Sequence, residues 1–110
     1  MSPAIKALQD GNFEGIGENV SAAVGLVKAL ANETRLMILC LLFEGEKSVS
    51  ELEQQMHLRQ PSVSQHLARL RFEDLVSARR DGRTIYYSLG SDEARQLVSL
   101  LHALYCDKKT

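Results

Sequence analysis

The apolar pattern of this chain changes period twice, and few folds accommodate that change. Up to about Glu73 the apolar residues recur at helical steps of three and four, from Leu75 to Leu89 the step falls to two, and after Ser91 it is helical again. In the middle segment Ile85 and Tyr87 alternate against Thr84, Tyr86 and Ser88, and Asp81-Gly82 separates this run from Ser77–Arg80 as a turn. A lone two-stranded hairpin does not persist in water, so this one has to pack on the helices around it. The expected architecture is mainly α with a single β-hairpin.

The helical segments can be read one by one. Residues 1–17 hold three glycines and little periodicity, which predicts a flexible N-terminal arm ahead of one domain over 18–110. From Glu18, the residues Val20, Val24, Val27 and Leu30 share one face of a first helix. Asn32 caps a second helix, Glu33 to Glu44, that is apolar on nearly every side, and Gly45 ends it. Ser50 with Glu53 predicts a capping box for a short third helix, Glu51 to Met56. Pro61 suits the first turn of a fourth helix, in which Val63, Leu67 and Leu70 point inward while Ser62, Gln65, His66 and Arg69 are expected outward. Ser91 caps a fifth helix with Asp92 and Glu93 in its first turn, and its apolar stripe runs through Ala94, Leu97, Val98, Leu101, Leu104 and Tyr105.

A short helix, a tight turn and a second helix with polar outer residues form the arrangement that enters a DNA major groove. The net charge of -1 conceals the electrostatics this requires: residues 1–58 carry four Lys/Arg against eight Asp/Glu, whereas residues 59–83 carry six arginines against three acids. Arginine presents a planar fork of donors to phosphate and to guanine. Gln60, Ser62, Ser64, Gln65 and His66 are candidates for base edges, with Gln suited to adenine, and Arg69 is long enough to reach a phosphate. Arg79, Arg80 and Arg83 place positive charge on the hairpin, which then reads as a wing. A wing used only for protein contacts is the competing reading. No phosphate-binding glycine loop, zincin signature or nucleophile elbow is present, so the chain does not read as an enzyme. No apolar run approaches the roughly 20 residues of a membrane span and no secretory leader is recognisable, so the expected location is the cytoplasm.

Residues 28–89 closely resemble the ArsR/SmtB repressors, through the KALANETRLMIL helix, the QPSVSQHLARLRF helix and the SARRDGRTIYYSL wing. The resemblance implies a winged helix-turn-helix that forms a homodimer through its first and last helices, binds a palindromic double-stranded operator and leaves it when an inducer arrives. The corresponding dimer-interface residues are Val20, Val24, Val27, Leu97, Leu101 and Leu104. Many members bind a soft metal through Cys-Val-Cys at the third helix, but this chain has Ser48-Val49-Ser50, and hydroxyls do not replace thiolates there.

Two cysteines remain, Cys40 and Cys106, and in a reducing compartment they are not expected to form a permanent disulfide. With RLMILC around Cys40 and a cysteine near the C-terminus, the chain is similar to the dithiol BigR/SqrR subgroup of the family. That similarity implies that reactive sulfur species link the two cysteines and release the DNA, with no metal and no cofactor. A metal-responsive alternative stays open, in which Cys40, His102 and Cys106 supply three ligands, the last two being four residues apart on one helix.

Overall fold

The computed structural model describes the backbone of residues 14–106 and the side chains of most of them, so the expected arm is outside the described residues up to position 13. Helix α1 spans Glu14–Leu30 and starts four residues ahead of the expected Glu18. Gly15 and Gly17 were read as part of the arm, but a glycine costs a helix only about 1 kcal/mol and is not a stop signal. Helix α2, Glu33–Glu44, opens where expected: Asn32 has extended backbone and its Oδ1 accepts from the Arg35 N–H at 3.0 Å. Gly45 caps the other end, its N–H bonding the Leu42 carbonyl at 3.1 Å.

The third helix is capped two residues earlier than the sequence suggested. Helix α3 is Val49–Met56, and Ser48 rather than Ser50 is its cap. The Glu51 N–H donates to Ser48 Oγ at 3.1 Å, and the Ser48 N–H donates to the Glu51 carboxylate at 2.9 Å. Both serines are followed by a glutamate three positions later, so the capping-box pattern alone does not choose between them. Pairing chooses, because Lys47–Ser48 forms a short strand β1 that fixes where the helix begins.

Helix α4, Gln60–Phe72, has Pro61 in its first turn, as expected. Strands β2, Val76–Asp81, and β3, Thr84–Leu89, form the hairpin, and β1 adds to β3 in an antiparallel sheet ordered β1-β3-β2. The wing is therefore three-stranded, not two-stranded. Its turn also sits one residue later than expected: Asp81 pairs with Thr84, leaving Gly82-Arg83 as the two turn residues. Among these only Gly82 has positive φ, at 65°, which matches a turn with glycine first rather than one that needs positive φ twice. Where the sheet ends, a side chain on Gly90 would lie 2.8 Å from the Asp74 carbonyl and Val76 backbone, so that crossing admits only glycine.

Helix α5, Asp92–Leu101, is capped by Ser91, whose Oγ accepts from the Ala94 N–H at 3.1 Å. Beyond it, His102–Cys106 winds as a π-helical turn where the sequence predicted continued α-helix. The core gathers Ala29 from α1, Ile38, Leu39 and Leu42 from α2, Leu52 from α3, Val63, Leu67 and Leu70 from α4, Leu75 and Val76 at the wing, and Ala94 and Val98 from α5. The radius of gyration is 16.2 Å, above the roughly 13 Å expected of a chain this size, because α1 reaches beyond that core.

The cap assignment is testable by urea unfolding at fixed protein concentration. Ser48→Ala should cost about 1 kcal/mol, whereas Ser50→Ala, at an exposed position, should change stability by less than about 0.5 kcal/mol. Equal effects of the two substitutions would contradict the cap at Ser48.

Candidate nucleic-acid interface

Helix α4 is anchored by Val63, Leu67 and Leu70, and at 100° per residue the opposite ridge consists of Pro61, Gln65, Ala68 and Phe72, all exposed. Of the four residues expected outward, only Gln65 lies on this ridge. Ser62, His66 and Arg69 lie on a half-buried flank, where α2 approaches His66 and α1 approaches the Arg69–Glu73 pair. There Arg69 Nη1 donates to Glu73 Oε1 at 3.0 Å, and the Glu73 carboxylate packs over Gly25 of α1. His66 faces Arg35 of α2, and burial together with that guanidinium lowers its pKa, so the ring is neutral at pH 7 and offers one donor and one acceptor. On the other flank Gln60 Nε2 donates to Ser64 Oγ at 2.6 Å.

The wing arginines divide into two kinds. Arg79 donates through Nε and Nη2 to both carboxylate oxygens of Glu46, each at 2.7 Å, and its guanidinium lies 4.6 Å from the Tyr86 ring centroid. The Arg79 bond holds the Glu46 carboxyl below its ordinary range, so the pair is ionised at neutral pH. Arg79 is thereby committed to bracing the sheet. Arg80 and Arg83 are exposed and make no ion pair among the described residues. Arg83 also lines an open cleft of about 290 Å³ between the wing and the start of α4, together with Ser50, Gln60, Ser64 and Thr84.

A second surface lies on α1 and α5. Of the residues expected to form a dimer interface, Val20, Val24, Val27 and Leu104 are exposed and Leu97 and Leu101 half-buried, and Val27 and Leu97 line one groove. A groove of about 580 Å³ runs between the helices, lined by Ala23, Leu26, Val27, Gln96, Leu97 and Leu100. Leu100, 56% exposed, was not singled out in the sequence, although it stands three residues after Leu97 and four before Leu104.

Cys40 is half-buried on α2, one turn before Phe43, whose ring stacks on His102 with centroids 5.3 Å apart. Cys106 ends the π-helical turn, but its side chain falls outside the described residues, as does any distance between the two sulfurs. Among the described residues no three His, Cys, Asp or Glu side chains converge as a metal site. No helix among them is long and apolar enough to cross a membrane. The residues that sequence reasoning missed are Glu46, Arg35, Leu100 and Phe72. A sharper helical wheel would have found Phe72, seven residues from Gln65 and four from Ala68.

A family profile described as "Bacterial regulatory protein, arsR family" matches residues 32–78. The chain is 46% identical over 95 residues to the transcriptional activator HlyU of Vibrio cholerae, covering 86% of this chain and 88% of that protein. The structure of reduced HlyU from Vibrio cholerae superposes with a TM-score of 0.81 at 46% identity, over 86% of this chain and 99% of that one. The crystal structure of the transcriptional repressor BigR from Xylella fastidiosa gives a TM-score of 0.75 at 39% identity, over 88% and 98% of the two chains. These relatives are transcription regulators rather than enzymes, and their architecture is the one described above. The chain belongs to the ArsR family of winged helix-turn-helix DNA-binding regulators.

Proposed function

We propose that the protein is a homodimeric repressor that reads a palindromic operator with α4 and is released when Cys40 and Cys106 become linked by reactive sulfur species. The observation that carries the DNA-reading part is that α4 presents one exposed ridge and that Arg83 of the wing, exposed and without an ion pair among the described residues, lines a cleft with Gln60 and Ser64 at the start of that helix. Gln65 reads a base edge from the ridge, with Gln60, Ser62, Ser64 and His66 on its flanks at the helix start. Arg80 and Arg83 neutralise phosphates, and Arg79 and Arg69 act by holding the wing and the helix in place. Arg80→Ala or Arg83→Ala should weaken binding to all duplexes and lower the salt slope by about one, while Gln65→Ala should relax preference at a single base pair. Wild-type affinity and salt dependence in both wing variants, measured by fluorescence anisotropy, would reject this division.

The exposed apolar surface of α1 and α5 supports the dimer. Two copies joined there place their reading helices on half-sites about 34 Å apart. Leu100→Glu puts a charge on an already exposed position, so the fold should survive while sedimentation shows monomers and operator binding is lost. A dimer in that variant would move the interface elsewhere.

The switch is supported by the packing of α2, which carries Cys40, against α5, whose extension carries Cys106. A thiolate attacks a polysulfide, breaking an S–S bond to give a persulfide and a polysulfide one sulfur shorter, and the second thiolate attacks the inner sulfur of the persulfide, expels hydrosulfide and closes the link. A direct disulfide requires α-carbons about 4.4–6.8 Å apart, and each further sulfur adds about 2 Å. The link changes affinity only by favouring an arrangement of α2 and α5 that does not fit the operator. Cys40→Ser and Cys106→Ser should each bind operator when reduced and stay bound after polysulfide. Normal release of either variant would reject the two-cysteine switch, and tight Zn, Cu(I) or Cd binding by the reduced protein would favour the metal set Cys40, His102 and Cys106 instead.

A further inference from the structure

The reading ridge of α4 carries one hydrogen-bonding side chain, Gln65, among three that cannot read a base edge by hydrogen bonds: Pro61, Ala68 and Phe72. Phe72 is 81% exposed, the most exposed large apolar side chain among the described residues. It stands on the last residue of the helix, and the chain beyond it turns at once: Glu73 is bonded to Arg69 on the far flank and Asp74 has positive φ at 58°. Its ring thus projects from the same face as Gln65, with Arg71 exposed beside it. Seven residues at 1.5 Å put Phe72 about 10.5 Å along the helix from Gln65, far enough to meet a different base pair.

We infer that Phe72 is a specificity residue that packs on the 5-methyl group of a thymine in a different base pair from the one read by Gln65. The inference rests on the DNA-reading role of α4 proposed above. Chemistry selects the occupant: a phenyl ring neither donates nor accepts a hydrogen bond at a base edge, and the thymine methyl is the apolar group that base pairs display in the major groove. The neighbouring Ala68 is short enough to let the ridge approach the bases on either side of the contact. The ridge therefore reads two kinds of feature, a polar edge near its start and a methyl near its end.

Deoxyuridine differs from thymidine only by that methyl, which makes it the probe. A duplex selected by the wild-type protein from random-sequence pools is remade with each thymine replaced singly by uracil, and affinities are measured for wild type, Phe72→Ala and Phe72→Leu. At one position per half-site, distinct from the pair relaxed by Gln65→Ala, uracil should weaken wild-type binding about fourfold, the value of burying one methyl. Phe72→Ala should lose a similar factor on the thymine duplex and no longer distinguish thymine from uracil there, and Phe72→Leu should retain part of the discrimination. If Phe72→Ala discriminated thymine from uracil as wild type does at every position, the inference would fail while DNA reading by α4 stood. A change in self-association with unaltered discrimination would assign the ring to a protein contact and would also overturn it. Failure of the wild-type protein to select any duplex would overturn the DNA-reading role and the inference together.

Discussion

Arg35 is the point through which three helices are joined. The terminal carbonyls of α1 have no partners within their own helix, and Arg35 supplies them: Nε donates to the Ala29 carbonyl at 2.7 Å and Nη2 to the Lys28 carbonyl at 3.3 Å. The backbone of the same residue is held by Asn32, which starts α2, and its charge faces His66 on α4. A cation at the C-terminal end of α1 is also where the helix dipole favours one. The α1 helix, whose apolar face is open, thus connects to α4 through the Arg35 guanidinium and the neutral His66 imidazole, beside the contact of the Glu73 carboxylate with Gly25. Any tilt of α1 relative to α2 has to break or carry along these bonds.

The arginine-rich segment shows how formal charge and available charge differ. Six arginines fall within residues 59–83, yet Arg69 is paired with Glu73 and Arg79 with Glu46. An exposed ion pair contributes little to stability, but a two-pronged guanidinium bond with an aromatic ring beneath it fixes direction. Glu46 and Tyr86 therefore give the wing an orientation. Counting charge along the sequence could not say which cations were already spoken for, because the acid opposite Arg79 lies 33 positions away.

Much of the fold was legible because its signals are local. Asn32, Gly45, Pro61 and Ser91 act at helix ends through neighbours within a few residues, and each stands where the pattern placed it. The failures are non-local or ambiguous. Two overlapping serine–glutamate pairs competed for one cap, and a strand of two residues is too short to carry a period, so β1 was invisible without its partner β3. The outward face of α4 was assigned too widely because α2 approaches His66 and α1 approaches the Arg69–Glu73 pair on the half-buried flank that also holds Ser62, a fact of packing rather than of sequence spacing. The thiol pair was legible only through family resemblance, since a separation of 66 positions carries no geometry by itself.

The sheet order β1-β3-β2 leaves β2 with one side unpaired. Such an edge exposes a row of backbone donors and acceptors that can recruit a strand from another molecule. Here the last three residues of the strand, Arg79, Arg80 and Asp81, are all charged and exposed, and a second copy brought alongside would have to desolvate them. The same charges that face solvent on the wing therefore oppose edge-to-edge pairing of free molecules.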